Sequence, residues 1–102
     1  MARLNNKERI EVKEKSINKS FKVIRELLDK RLLQKGNYSF ASKHEFLGIL
    51  TEEYYEIINE IKNDHLTYDD TVYMELCNEV IDMAVACIFY YAGCIQKTKE
   101  NK

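Results

Sequence analysis

Residues 46–61, FLGILTEEYYEIINEI, and residues 78–93, NEVIDMAVACIFYYAG, decide how this chain is read. At about 100° per residue, Phe46, Leu47, Ile49, Leu50, Tyr54, Ile57, Ile58 and Ile61 fall on one apolar arc of a helix. Glu53 and Glu60 lie inside that arc, Glu56 lies at its edge, and Glu52 lies farther out. The second stretch belongs to a helix that is apolar almost all round, through Val72, Leu76, Val80, Ile81, Met83, Val85, Ile88 and Tyr91. Its exception is a stripe of Glu75, Asn78, Glu79 and Asp82, continued by Ala86 and Gly93, whose small side chains leave room for a ligand. Such a helix is usually central in its fold.

Residues three apart share a helix face, so Glu53/Glu56 and Glu79/Asp82 each present two carboxylates side by side. Charges in apolar surroundings are costly unless they are paired or bind metal. Four carboxylates converging from two helices suit a hard divalent cation. Spacing by itself is not decisive. Glu8/Glu11, Glu11/Glu14 and Glu26/Asp29 have the same spacing among Lys and Arg, and are expected on solvated faces.

Ion pairing is the competing account of the acidic stripe. Residues 1–35 hold eleven Lys/Arg against five Asp/Glu, whereas residues 36–102 hold five against twelve. From His44 to Gln96 there are eleven acids and one basic residue, Lys62. A basic first helix could neutralise some of them, although most of its charge belongs on a solvated face.

At 102 residues the chain is expected to be a single domain, 1–102, with residues 1–19 a charged extension of the first helix that frays. No Pro and only three Gly argue against a turn-rich β fold. The expectation is an all-α bundle of three to five helices, completed by oligomerisation. The first helix carries Ile10, Ile17, Phe21, Ile24, Leu28 and Leu32 at helical spacing and ends at Gly36. Ser42 is the expected N-cap of a second helix running to about Asn63. A turn over Asn63 to Asp70 leads, with Asp69 or Asp70 as cap, to a third helix ending near Gln96, with a break expected near its start or at Gly93.

Other chemistries fail. Neither His44 nor His65 has an acid three residues before it, as a di-iron bundle needs. Asp64 to Glu75 lacks the central Gly of a calcium loop, and no Gly-rich phosphate loop or G-x-S-x-G elbow is present. Near-balanced charge gives no argument for a nucleic-acid polymer or a membrane surface. Met83 to Cys94, the longest apolar stretch, is too short for a bilayer. No apolar leader opens the chain, and Cys77, Cys87 and Cys94 form no C-x-x-C pair, so reduced thiols and a cytoplasmic location are expected.

Glu52-Glu53-x-x-Glu56, twenty-two residues, then Glu79-x-x-Asp82 resembles the E-E-x-x-E … E-x-x-D signature of the MazG-like nucleotide pyrophosphohydrolases. The resemblance spans roughly Tyr38 to Cys94. It implies an all-α homodimer or homotetramer that uses Mg²⁺, with Mn²⁺ as substitute, to cleave a nucleoside triphosphate into monophosphate and pyrophosphate. By position, Glu53, Glu56, Glu79 and Asp82 would hold the metal, and Glu52 would orient or deprotonate water, with Glu60 and Glu75 bordering the site. Base recognition is expected from Tyr38, Phe40 and Asn78. Many members carry a basic segment beyond the second helix. Here Lys97 lies ~22 Å along a helix from Asp82, so phosphate-binding charge is expected from Lys43, His44 or the basic first helix. Phosphoribosyl-ATP pyrophosphohydrolase shares this fold and these carboxylates. A non-catalytic oligomerisation or regulatory module, its acids held in ion pairs, is the alternative from a different class.

Overall fold

The computed structural model describes residues 9–63 and 70–100. They form three helices, α1 (Glu14–Lys35), α2 (Lys43–Asn63) and α3 (Asp70–Glu100), with no strand among the described residues. The expected turn and cap between Asn63 and Asp70, the burial of Val72, and the placement of Glu8 and His65 lie outside what is described.

The helix ends follow from local chemistry. Lys13 at the start of α1 offers no side-chain cap, and only its carbonyl receives the first amides, from Ser16 and Ile17. Gly36 closes the same helix at φ 85°, its N–H donating to the Leu32 carbonyl at 2.9 Å. That left-handed conformation suits glycine because it has no Cβ. Ser42 caps α2 as expected, its Oγ accepting the Glu45 amide at 3.2 Å. In contrast, α3 runs unbroken through Gly93 and past Gln96 to Glu100. Gly93 is a point of close approach rather than a break, because a Cβ there would stand 3.2 Å from the Ser39 Cβ.

Among the described residues, backbone contacts join α3 to both α1 and α2, and none joins α1 to α2. The all-round apolar surface of α3 has this meaning: it faces one helix on each of two sides. Phe46 stacks on Tyr90 with centroids 4.1 Å apart, and Phe40 meets Phe89 edge-on at 5.4 Å. These rings tie the segment before α2 and the first turn of α2 to the second half of α3.

Burial is thin. Among the described residues only Leu28 (8% exposed) and Val85 (4%) are fully in the core. Phe21, Leu33, Leu47, Tyr55, Met74 and Tyr91 are exposed, so the N-terminal half of α1 and parts of α2 and α3 have no partner among the described residues. The radius of gyration is 16.7 Å, against about 13 Å for a compact domain of 100 residues. By length and composition alone, Met74–Glu100 is long and apolar enough to cross a membrane. It is longer than the apolar stretch judged too short from sequence. However, Glu79 and Asp82 sit on it, and carboxylates in hydrocarbon are expensive.

Leu28→Ala should therefore cost about 2–5 kcal/mol in urea denaturation, the usual range for a large core truncation. Gly36→Ala should cost on the order of 1 kcal/mol through its positive φ. Equal, negligible effects would mean that α1 is not docked in solution.

Candidate metal centre

The α2–α3 packing brings Glu53, Glu56 and Glu79 together. Each can offer one carboxylate oxygen within 4.8 Å of the other two. The cause is local: Glu53 sits in the apolar arc of α2, so burying that arc against α3 carries its carboxylate inward. All three are half-buried. Glu53 Oε2 and Glu79 Oε2 are shielded from solvent and have no hydrogen-bond partner.

Crowded like charges raise proton affinity. A hydrogen bond between the Glu79 and Glu56 carboxyls, then burial, then repulsion by Glu56, Glu53 and Asp82 push the Glu79 carboxyl up from 4.5 to about 7. The Glu53 carboxyl is raised chiefly by burial, then by Glu56 and Asp82, and Arg31 and a hydrogen bond with Glu79 partly offset this. Its raised proton affinity suits Glu79 to share a proton with a neighbouring carboxylate, which would lessen the repulsion within the cluster.

Asp82 faces the same cluster but is engaged elsewhere. Arg31 of α1 donates from Nη2 to Asp82 Oδ1 at 2.7 Å, and both side chains are partly exposed. Sequence reading allowed for such pairing without identifying the partner. A lone Arg among eleven basic residues carries no signal that would single it out.

The remaining expected residues are spread around this centre. Glu52 is exposed and lines a cavity beside Glu53, together with Arg31, Lys35 and Ala86. Glu60 is half-buried, and Glu75 is exposed. Asn78 lines a separate surface hollow with Asp82 and Lys30. Tyr38 stands 92% exposed, and Lys43 and His44 are also exposed. Phe40 is packed against Phe46, Phe89 and Tyr90 while also lining the cavity. Ala86 does leave room there, as its size suggested, whereas the space over Gly93 is taken by Ser39. The described decoy acids behave as expected. Glu11, Glu14, Glu26 and Asp29 are exposed, and Asp29 pairs with Arg25 on the surface of α1.

Comparison with protein-family models, curated proteins and solved structures returns no match for this chain.

The donor set fits a small hard cation. Octahedral Mg²⁺ at about 2.1 Å per oxygen places neighbouring ligands about 3 Å apart and opposite ones about 4 Å apart. Three carboxylate oxygens within 4.8 Å of one another are near that spacing.

The metal-free protein should show a pH signature. Glu79 and Glu53 bind protons more readily folded than unfolded. The contribution of Glu79 to stability is therefore full below the ordinary value of 4.5 and is lost as pH rises through about 7, and that of Glu53 has the same sign. In chelator-treated samples the melting temperature of the natural chain should fall from about pH 5 to pH 8 relative to that of Glu79→Gln. Parallel profiles would show that Glu79 is not crowded in solution.

Proposed function

We propose that the chain is a Mg²⁺-dependent nucleoside triphosphate pyrophosphohydrolase of the MazG-like type, working as a homodimer or homotetramer. The observation that carries this reading is the convergence of Glu53, Glu56 and Glu79, with two shielded and unpartnered oxygens, from two helices. Burying three carboxylates together is unfavourable in a merely structural element. It is favourable once a divalent cation is bound.

Glu53, Glu56 and Glu79 would hold the cation, with Asp82 completing the set. When bound, the cation supplies charge neutralisation and Lewis acidity at the phosphates. Glu52, at the edge of the neighbouring cavity, is suited to take the proton of a water whose oxygen attacks the α-phosphorus. The bond from that phosphorus to the oxygen bridging the β-phosphate breaks. Pyrophosphate leaves with the bonding electrons, and the nucleoside monophosphate remains. Phe40 and Phe89 offer an apolar wall for a base.

Assembly is supported by the unpartnered apolar faces of all three helices. A second copy covering Leu47, Tyr55, Met74 and Tyr91 would supply the burial that the single chain lacks. Light scattering at micromolar concentration should give twice or four times the chain mass, and a monomer would sink this part.

A second reading has its own observation. The Arg31–Asp82 pair is what a regulatory module would keep, with its acids neutralised by protein rather than metal. Metal separates the two readings. Millimolar Mg²⁺ or Mn²⁺ should raise the melting temperature of the hydrolase and leave the module unchanged. Pyrophosphate release across a panel of nucleotides, phosphoribosyl-ATP among them, then names the substrate.

The carboxylates should also divide in their behaviour. Glu53→Gln should cut cation affinity and turnover by roughly a hundredfold or more and leave the metal-free fold at least as stable. Asp82→Asn should lower both as well. Because it breaks an ion pair, it should destabilise the metal-free chain by up to about 1 kcal/mol. Marked destabilisation by Glu53→Gln would instead favour the module.

A further inference from the structure

The cavity between the C-terminal half of α1 and the α2–α3 pair has a volume of about 300 Å³. That lies at the lower end of the range for small-molecule sites. Arg31 and Lys35 line it from α1, Glu53 from α2, and Phe40 and Phe89 add an apolar surface. Arg31 and Lys35 are four residues apart and so share a helix face. Two fixed positive charges thus border the same space as one of the clustered carboxylates.

Arg31 is incompletely used where it stands. Among the described residues only its Nη2 is engaged, by Asp82 Oδ1. A guanidinium has five N–H donors in a planar fork that matches phosphate oxygens two at a time. The pair is short but only part-buried, so solvent and incoming anions can reach the guanidinium.

We propose that Arg31 and Lys35 form the phosphate-binding subsite of a phosphoanhydride ligand, and that Arg31 fills it by exchanging Asp82 Oδ1 for a phosphate oxygen. The proposal rests on the cation site argued above, and it assigns to α1 the phosphate-binding charge. The exchange returns Asp82 to the carboxylate cluster at the moment the phosphate chain arrives. Cation and phosphate therefore strengthen each other's binding, and this coupling is reciprocal. Without a cation the carboxylates repel the phosphate chain, so the subsite is closed to it. The ligand chemistry is shared by a nucleoside triphosphate and by inorganic tripolyphosphate, and the base can add only through the Phe40–Phe89 side of the cavity.

The test is calorimetric binding to the full chain, with Mn²⁺ present, of inorganic tripolyphosphate and of nucleoside triphosphates with an α,β-methylene bridge, which cannot be cleaved at that bond. Both should bind with Mn²⁺ and not without it, and tighter binding of one methylene nucleotide than of tripolyphosphate identifies a nucleotide as the ligand. Arg31→Met and Lys35→Met should each weaken tripolyphosphate by roughly ten- to a hundredfold, and Arg31→Lys should recover part of the loss. Mn²⁺ alone, followed by electron paramagnetic resonance, should bind Arg31→Met at least as tightly as the natural chain, because Asp82 is freed. If Arg31→Met loosens α1, Lys35→Met keeps the test decisive, since it removes no ion pair among the described residues. Unchanged tripolyphosphate affinity in both Met variants overturns the proposal. Arg31-dependent tripolyphosphate binding in a protein that releases no pyrophosphate from any nucleotide would leave the subsite standing and sink the hydrolase reading. Pyrophosphate release indifferent to both variants would do the reverse.

Discussion

Mutual repulsion among carboxylates that cannot be kept apart is the constraint on which the rest of this structure depends. The apolar arc of α2 includes Glu53, so it cannot be packed on α3 without delivering that side chain to Glu79. Three half-buried acids then share a space in which Oε2 of Glu53 and of Glu79 is shielded from solvent and has no hydrogen-bond partner among the described residues. The chain relieves this in two ways. The raised proton affinity of Glu79 favours loss of one charge, and the guanidinium of Arg31, from α1, pairs with Asp82. The docking of α1 is thus partly an electrostatic consequence of how α2 and α3 meet.

The all-α character was legible in the sequence because helical periodicity is local. The apolar arc from Phe46 to Ile61, the Gly36 stop and the Ser42 cap each need only a few neighbouring residues to be recognised. Glu53 and Glu56 were separable from Glu11 and Glu14 for the same reason: their neighbours are apolar rather than basic. What could not be read was anything that depends on distance across the fold. The pairing of Arg31 with Asp82 spans fifty-one residues. Gly93 resembled a helix break by propensity, yet tertiary contact with Ser39 and the apolar packing around it outweigh the roughly 1 kcal/mol that a helical glycine costs relative to alanine.

A core limited, among the described residues, to Leu28 and Val85 is small. Aromatic stacking of Phe46 on Tyr90 and the edge contact of Phe40 with Phe89 compensate at one end of the α2–α3 pair, each contributing on the order of 1 kcal/mol beyond simple burial. At the other end the acids subtract. The two ends of one helix pair therefore have opposite characters: a rigid aromatic clasp near Phe46, and an electrostatically strained mouth near Glu56.

The contact of Ser39 with Gly93 acts as a ruler. Ser39 precedes Glu53 by fourteen residues, and Gly93 follows Glu79 by fourteen. The two segments run in opposite directions, so Ser39 beside Gly93 and Glu53 beside Glu79 belong to one antiparallel pairing, with residues 39–42 preceding the helix. A slip of one residue along α3 would turn its acidic stripe by about 100° and carry Glu79 out of reach. A glycine about 21 Å along the helix from Glu79 thus lets the start of this pairing close up, and a Cβ there would ask Ser39 to give way by a few tenths of an ångström.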